Sequence, residues 1–313
     1  MAISNTATSA AAAETSSSSS SITQHPQHLE PSKLGTKEYW DNFYANSLEH
    51  LSDKRRRREQ GVEEDEQDNS SNDDDDDNDD DDDGDNDSDP GTSWFTEHNA
   101  PEKVLDFLCS PEFPLSPENV PSTVNETTSI LDLGTGNGTM LSLLRKEGDF
   151  IGPMVGVDYS LQSIELARRL HADDEIRFEV WDVFDTSKKP AEHDWFPSEK
   201  GGFDIVLDKG TFDAISLSAE EIDVPTGNGS ETVKRRICEL YPEISRRLLR
   251  KGGYLIVTSC NWTEEELISW FTKTQGEDDT LTVFDRVEYP KFRFGGREGQ
   301  GVCTVCFQRR AAQ

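Results

Sequence analysis

The chain has 313 residues, enough for one sizeable globular domain with additional segments, and its 63 acidic and 31 basic residues give a formal net charge of −32. Residues 63–89 hold 18 acidic and no basic side chains, and removing them from the net −32 leaves −14 for the rest of the chain. An acidic surface repels phosphate backbones and attracts basic partners. Nucleic acid is therefore disfavoured as the substrate, and a lysine-rich protein surface is favoured.

The N-terminal part of the chain contains one predicted helix. Residues 1–33 lack hydrophobic periodicity, and we expect a disordered tail there. Residues 34–52 are predicted to form a helix capped by Thr36, because aromatic and apolar side chains recur at helical spacing: Tyr39, Trp40, Phe43, Tyr44 and Leu48. We interpret this stripe as a packing face, although a helix here could also cover a cofactor.

Residues 53–92 are predicted to be a disordered insertion, first basic and then acidic. The basic run 54–58 is interpreted as a helix end that the acidic run neutralises, and a nuclear import signal is the alternative. No apolar run approaches the ~20 residues that a membrane helix needs. The Ala-, Ser- and Thr-rich N-terminus also lacks the basic start and apolar core of a secretory signal.

Residues 93–310 are predicted to form one α/β domain with seven strands. Apolar runs at 130–133, 154–157, 176–181, 203–207 and 253–257 have helical patterns between most of them, around 98–109, 138–147, 160–171 and 231–250. This alternation is typical of a parallel sheet with helices on both faces. Two last strands, 282–288 and 302–308, follow each other without a helix. We therefore expect a Rossmann-like, mostly parallel sheet that ends in an antiparallel strand.

The five cysteines are odd in number and scattered, which suits a reducing compartment. Cys303 and Cys306 form one C-x-x-C on a predicted strand, where positions three apart face opposite sides and cannot easily share a ligand. The sequence contains no second such pair. We therefore expect no metal site and assign the cysteines to the core or the surface.

A glycine-rich turn follows the first predicted strand, in I130-L-D-L-G-T-G-N-G-T139. It departs from the dinucleotide pattern G-x-G-x-x-G, because Thr139 stands at the place of the third glycine. Asp132, two residues before the turn, is awkward beside a pyrophosphate and suits a cationic ligand such as S-adenosylmethionine. A tight turn without any ligand is the alternative, and this motif alone does not decide between them.

Acidic residues also follow the next three strands, namely Asp158, Asp182 and Asp208. Open α/β sheets bind ligands at the carboxyl ends of their strands. Asp158 can accept hydrogen bonds from both ribose hydroxyls, and Asp182 can accept one from the adenine amino group. Each acid by itself could be a helix cap or a surface charge. Together they favour S-adenosylmethionine as the cofactor.

Six stretches of the chain, 34–41, 93–95, 131–138, 208–217, 258–263 and 291–297, carry a resemblance to a known family. The sequence resembles the seven-strand S-adenosylmethionine methyltransferases and, among them, the lysine methyltransferases that act on translation elongation factor 1-alpha. The specific stretches are D208-K-G-T-F-D-A-I-S-L217 and T258-S-C-N-W-T263. The resemblance runs from about Leu34 to the C-terminus, with the acidic run as an insertion.

The resemblance implies a set of cofactor residues. Trp94 would be a lid over the cofactor. The turn Gly134, Thr135, Gly136, Asn137 and Gly138, with Asp132, would face the methionine part. Asp158 with Tyr159 would hold the ribose, Asp182 and Val183 would flank the adenine, and Asp208 and Lys209 would lie beside the methyl group. We interpret Asp208 as the catalytic residue, acting as an electrostatic anchor for the sulfonium or the incoming lysine and not as a strong base.

Candidate substrate residues follow from aromatic walls around the lysine and from the same resemblance: Phe212, Asn261, Trp262, Lys291, Phe292 and Phe294. Trp94 and Phe95 are further candidates for the walls. Trp262 also has a structural explanation, because Thr263 with Glu266 predicts a capping box and Trp262 with Leu267 a hydrophobic staple. Asn261 is not explained in this way.

The expected function is that of an S-adenosylmethionine-dependent protein-lysine N-methyltransferase, with translation elongation factor 1-alpha as its implied substrate. We expect a monomer that works in the cytoplasm, with no direct contact to nucleic acid or membrane. The alternatives are a methyltransferase for another protein or a small molecule, and a non-catalytic protein that binds the cofactor or a partner. No [DN]-P-P-[FYW] motif follows the fourth strand, which argues against methylation of planar amide or base nitrogens.

Overall fold

The computed structural model describes residues 25–60, 95, 98–225, 232–273, 279–290, 292–294 and 297–310. Its strands are β1 (Ile130–Leu133), β2 (Met154–Asp158), β3 (Arg177–Val180), β4 (Phe203–Lys209), β5 (Glu221–Pro225), β6 (Thr232–Arg236), β7 (Leu249–Ser259), β8 (Leu281–Val287), β9 (Phe292–Phe294), β10 (Arg297–Gly299) and β11 (Cys303–Arg309). Its α-helices are α1 (Lys37–Glu59), α2 (Ala100–Leu108), α3 (Ser122–Asn125), α4 (Thr139–Lys146), α5 (Leu161–Leu170), α6 (Thr211–Ser216), α7 (Tyr241–Leu248) and α8 (Glu264–Thr272).

The main sheet has seven strands in the order β3-β2-β1-β4-β7-β11-β8. Neighbours from β3 to β7 pair in parallel, whereas β11 runs antiparallel to both β7 and β8. The order of the strands changes direction at β1, because β2 and β3 lie on one side of it and β4 lies on the other. Such sheets open a crevice for ligands at this point. The predicted Rossmann-like α/β fold, mostly parallel with an antiparallel C-terminal strand, is confirmed.

The sheet separates two hydrophobic cores because successive strand residues point to opposite faces. In β1, Ile130 belongs to one core, and Leu131 and Leu133 belong to the other. The same alternation places Cys303 and Cys306 of β11 in different cores. Both thiols are free and buried, so the prediction that this C-x-x-C pair faces opposite sides is confirmed.

The N-terminal region is more ordered than the sequence predicted. Helix α1 continues to Glu59, so the assignment of residues 53–59 to a disordered insertion is wrong. Cationic side chains in a last helical turn are favourable because they face the negative end of the helix dipole. Residues 25–33, predicted as part of a disordered tail, pack against the domain, with Leu29 against the core and the backbone N–H of Ser32 donating to the carbonyl of Leu217 at 3.1 Å.

The predicted helix over 231–250 is only partly correct. Residues 232–236 form strand β6, which pairs antiparallel with β5, and α7 begins only at Tyr241. The hairpin places opposite charges across from each other, Glu221 beside Arg236 and Asp223 beside Lys234. Such cross-strand pairs stabilise a strand where helical periodicity alone suggested a helix. In the described parts of the chain, no helix has the length and apolar character to cross a membrane.

Candidate active site

A cavity of about 270 Å³ opens at the carboxyl ends of β1, β2 and β4. Its wall contains the glycine turn after β1, where Gly134 and Gly136 have φ values of +60° and +58°. A Cβ on Gly134 would lie 2.2 Å from Oγ1 of Thr211, and a Cβ on Gly136 would lie 2.7 Å from the hydroxyl of Tyr44. Both positions therefore need glycine for backbone conformation and for space.

The other residues predicted on this turn fall into two groups. Thr135 and Asn137 line the cavity, whereas Gly138 is the N-cap of α4 and lies outside the lining. Asp132 is buried below the turn and is not part of the lining either; it accepts a hydrogen bond from the Thr135 hydroxyl at 2.8 Å. Burial raises the pKa of Asp132 to about 6. Asp132 therefore supports the turn from within the fold through its bond with Thr135.

The acids after β2 and β3 line the cavity. Asp158 is held by two backbone groups, accepting from the N–H of Gly136 at 3.1 Å and of Ser160 at 2.9 Å. Burial raises the pKa of Asp158. Asp182 is exposed and accepts from the N–H of Phe184 at 2.9 Å. Tyr159 and Val183, the neighbours of these acids, also line the cavity, so the structure brings four of the predicted cofactor residues together.

Asp208 was predicted to lie beside the reacting groups, and the structure places it below the cavity. It is 1% exposed and does not line the cavity. Its Oδ1 accepts from the N–H groups of Thr211 at 2.9 Å and Phe212 at 3.1 Å, and its Oδ2 accepts from the Tyr241 hydroxyl at 2.7 Å. These three bonds fix the first turn of α6 against α7. Burial raises the pKa of Asp208 to about 7.

Lys209, the next residue, does reach the cavity wall. Burial lowers its pKa, and the carboxylates of Asp132 and Asp208 act in the opposite direction. Its Nζ lies 5.6 Å from the centre of the Phe95 ring, which also lines the cavity. A cation beside the glycine turn can pair with a carboxylate of a bound ligand and at the same time compensates two buried acids.

Two predicted substrate residues belong to the core. Phe212 is fully buried and stacks on the rings of Tyr241 and Trp262, with centroids 5.7 and 6.0 Å apart. Trp262 is 5% exposed and its Nε1 donates to the Ser216 hydroxyl at 3.1 Å. Neither lines the cavity, and the structure gives both side chains a place in the core. The apolar face of α6 needs partners inside the core, and these rings provide them.

The predicted capping box and hydrophobic staple at the start of α8 are present. The Thr263 hydroxyl accepts from the N–H of Glu266 at 3.3 Å, and the Glu266 carboxylate accepts from the N–H of Thr263 at 3.0 Å, so the predicted capping box is confirmed. Trp262 and Leu267 belong to the same core cluster, as the hydrophobic staple requires. Asn261, which the capping pattern did not explain, lines the cavity.

Four predicted residues, Trp94, Lys291, Phe292 and Phe294, have no described side-chain contacts. Trp94 and Lys291 fall outside the described residues. Phe292 and Phe294 belong to strand β9, which pairs with β10. The roles of these four residues stay predictions.

Helix α1 contributes to the cavity wall, which favours the alternative interpretation of its aromatic stripe over a packing face. Trp40, Phe43 and Tyr44 all line the cavity. The Nε1 of Trp40 donates to the carbonyl of Leu34 at 2.7 Å, which ties the helix to the turn that precedes it. Burial and the Asp158 carboxylate raise the pKa of Tyr44 well above its usual value, so its hydroxyl keeps its proton.

Sequence reasoning missed two acids of the cavity wall, Asp213 and Glu220. Asp213 lies on α6, and its carboxylate accepts hydrogen bonds from the Ser259 hydroxyl and, at 2.8 Å, from the N–H of Cys260. Burial raises the pKa of Asp213 to about 6. Asp213 is part of the specific stretch 208–217, so the motif contained the signal, but only the packing of α6 shows which of its two acids faces the cavity.

The cavity fits S-adenosylmethionine. Acidic groups and aromatic rings around an opening suit a ligand that carries an ammonium, a sulfonium and a purine. Asp158, anchored by two N–H groups, can hold a ribose, and Asp182 with Val183 can hold an adenine. The glycine turn lines the cavity, so its backbone at Gly134 and Gly136 is available to the methionine part. When bound, S-adenosylmethionine supplies a methyl group that its positive sulfur activates for transfer.

Comparison with known proteins defines the class and then the family. A family profile described as "Methyltransferase domain" matches residues 125–290, more than half of the chain, so the protein is a methyltransferase. Together with the fold and the cavity, this makes S-adenosylmethionine its methyl donor.

Three relatives are similar over almost the whole chain. "Protein-lysine N-methyltransferase EFM4" of Saccharomyces cerevisiae is 35% identical over 287 residues, covering 90% of this chain and 97% of that protein. Its namesake from Schizosaccharomyces pombe is 32% identical, covering 90% and 95%. "EEF1A lysine methyltransferase 2" of Homo sapiens is 28% identical, covering 89% and 88%. The chain therefore belongs to this family of protein-lysine N-methyltransferases, and the resemblance seen in the sequence is confirmed.

Proposed function

We propose that the protein methylates a lysine side chain of translation elongation factor 1-alpha. The observation that carries this proposal is the similarity over 89% of the chain to the human protein named for that activity. The two most specific stretches of the sequence support it, because each contributes a residue to the cavity wall: Asp213 from 208–217 and Asn261 from 258–263.

The main chemical difficulty is the charge of the lysine. With a pKa of about 10.4, only about one free lysine in 2,500 is neutral at pH 7. Aromatic and apolar surroundings disfavour the cation and so lower the pKa of an inserted amine. Phe95 and the aromatic residues of α1 supply such surroundings, and Asp213 and Glu220 attract the cation as it arrives. With a pKa that burial raises to about 6, Asp213 is still mainly charged at pH 7.

Water exclusion is the second task of the chain. Trp40, Phe43 and Tyr44 of α1 line the cavity, and the Tyr44 hydroxyl lies against the glycine turn at Gly136. In-line methyl transfer needs an aligned lone pair and a dry site more than it needs a strong base. The described residues therefore support a mechanism in which alignment, partial desolvation of the lysine and the nearby acids together lower the barrier.

We also propose that the protein acts in the cytoplasm as a monomer and without direct contact to nucleic acid. The net charge of −32 supports the last point, since it repels phosphate backbones. Elongation factor 1-alpha works in the cytoplasm, which supports the location. The acidic low-complexity run 63–89 is a natural partner for basic protein surfaces.

The test combines purified full-length protein, labelled S-adenosylmethionine and unmethylated elongation factor 1-alpha, with mass spectrometry to locate the label. We expect label on one lysine. Asn261→Ala should lower kcat/KM for the protein substrate by about ten-fold or more and leave the cofactor Kd unchanged, because the side chain lines the cavity outside the cofactor turn. Glu265→Gln, four residues on and exposed on α8, is the matched control and should behave as wild type.

The outcomes distinguish substrate from fold. If calorimetry shows cofactor binding but no lysine is labelled, the proposed substrate is wrong and the methyltransferase assignment stands. If another protein in a cell extract is labelled in preference, elongation factor 1-alpha is also ruled out as the main substrate.

A further inference from the structure

A cluster of two imidazoles and one carboxylate lies outside the cavity, where residues 25–29 cross the turn Ile237–Glu239. The Nε2 of His25 is 3.8 Å from Oε2 of Glu239, and the Nε2 of His28 is 3.5 Å from Oε1 of the same carboxylate. The three ligand atoms lie within 4.8 Å of one another. Nothing in the cofactor cavity or the predicted reaction uses these residues.

Each imidazole brings its Nε2 within 4 Å of the Glu239 carboxylate, and the two stacked rings must turn apart for both to bind one ion. The Nδ1 of His25 is 2.8 Å from the carbonyl of Pro26, and donation of its proton there leaves the lone pair on Nε2. The Nε2 of His28 is shielded from solvent and has no hydrogen-bond partner among the residues that the structure describes.

We propose that His25, His28 and Glu239 bind one Zn²⁺ ion, which fastens residues 25–29 to the domain. Two imidazoles and a carboxylate are a ligand set that zinc accepts, with water in the fourth position. Zn–N bonds of about 2.0–2.1 Å place tetrahedral ligand atoms roughly 3.3 Å apart, so the three atoms must approach each other by on the order of 1 Å.

The surroundings of Glu239 and of the nearest cation are compatible with this site. The Oε1 of Glu239 accepts from the backbone N–H of Arg236 at 3.1 Å, which holds the carboxylate in place and leaves lone pairs free. The guanidinium of Arg236 donates to the carbonyls of Leu29, Ser216 and Ser218. Its donors are therefore engaged with backbone oxygens and do not compete for the carboxylate.

The ion would act on the segment that leads to the cover of the cavity. Leu29 packs against the core, and its carbonyl accepts from Arg236 at 2.8 Å. Three residues later the N–H of Ser32 donates to Leu217, and the turn Lys33–Gly35 then leads directly into α1. A metal bond at residues 25 and 28 adds a strong link at the start of this path.

Stacking is the competing explanation for the cluster. The ring of His25 lies 4.8 Å from the ring of Trp270 and 4.7 Å from that of His28, so the imidazoles could serve only to pack on the indole. Packing requires no metal. A binding measurement therefore separates the two explanations.

The experiment is a calorimetric titration of the full chain with Zn²⁺ after treatment with a chelator. Millimolar Mg²⁺ is present throughout to occupy oxygen-only sites on the acidic run. We expect one Zn²⁺ per chain, and a loss of affinity of about ten-fold or more in His28→Ala and in the His25→Ala/His28→Ala double variant. Gln27→Ala, exposed between the two ligands, and His50→Ala, an exposed histidine of α1, are the controls and should bind as wild type.

Two further readouts test the site and its effect. Co²⁺ in place of Zn²⁺ should give the visible absorption of a tetrahedral site in the wild type and not in the double variant. Zn²⁺ should slow tryptic cleavage after Lys33 in the wild type alone. Equal Zn²⁺ binding by the wild type and the double variant, or no binding by either, would overturn the site. Binding without protection at Lys33 would overturn the fastening.

Discussion

Replacement of Asp208 separates a structural role from a catalytic one. Its carboxylate accepts from the N–H groups of Thr211 and Phe212 and from the Tyr241 hydroxyl, in a position that is 1% exposed. Asp208→Ala leaves all three donors without their acceptor, at about 1–3 kcal/mol for each buried group. Because such losses are not additive, we expect the free energy of unfolding to fall by about 3–6 kcal/mol, a large part of the total for a typical domain.

Asp208→Asn should behave differently. Its Oδ1 can still accept from both backbone N–H groups, since these share one oxygen, and its amide can donate to the oxygen of Tyr241. At pH 7 we expect a change within about 1 kcal/mol in urea unfolding and a methyl-transfer rate within about ten-fold of wild type. Tyr241→Phe removes one of the three bonds and should lower the free energy of unfolding by about 1–2 kcal/mol. This loss lies between those expected for Asp208→Asn and Asp208→Ala.

The measurements are urea unfolding monitored by fluorescence and single-turnover transfer of labelled methyl groups. An Asn variant that folds and binds the cofactor like wild type but transfers methyl groups about 1,000-fold more slowly would show that the charge of Asp208 is needed in the reaction. An Ala variant as stable as wild type would show that the three hydrogen bonds do not support α6. The first result would add a catalytic role to Asp208, and the second would refute the structural role assigned to it.

Three further predictions concern the core, the cofactor and pH. Phe212→Ala should lower the free energy of unfolding by about 3–5 kcal/mol, because it empties a fully buried aromatic site, and thermal unfolding would contradict a core role if Tm did not change. Asp182→Ala should weaken cofactor binding by about ten-fold in calorimetry, whereas Asp185→Ala, an exposed acid in an equivalent turn outside the cavity lining, should not; equal effects would exclude Asp182 from the site. Because burial raises the pKa of Asp208 to about 7, the folded state binds a proton that the unfolded state releases at a pKa of about 3.9, so stability falls as pH rises through this window. Asp208→Asn should therefore gain about 2–3 kcal/mol relative to wild type between pH 5 and pH 8 in urea unfolding, and a difference that does not vary with pH would refute this.

The sequence alone determined the sheet and the edge at which the cavity opens. Strand β1 and the turn that follows it were predictable because a short apolar run and closely spaced glycines are local signals. Asp158 and Asp182 could be placed at the cavity because the end of a parallel strand defines one edge of the sheet. The capping box at Thr263 was equally local, since it depends on residues three apart.

Only the tertiary structure decided which of the neighbouring side chains face the cavity. Asp208 and Asp213 are five residues apart in one motif, yet Asp208 supports the first turn of α6 and Asp213 lines the cavity wall. Sequence position fixes neither outcome, because the direction of each side chain depends on how α6 packs against α7 and on the twist of β4. Phe212 was drawn into the core for the same reason.

Contacts between segments that are distant in the chain could likewise not be predicted from the sequence. Trp40 and Tyr44 show only a helical stripe, and their position over a turn some 90 residues further along the chain depends on the docking of α1. The cluster of His25 and His28 with Glu239 depends on the same kind of long-range contact. Local patterns state which residues share a face of an element, whereas the burial of that face against a distant partner is a property of the folded whole.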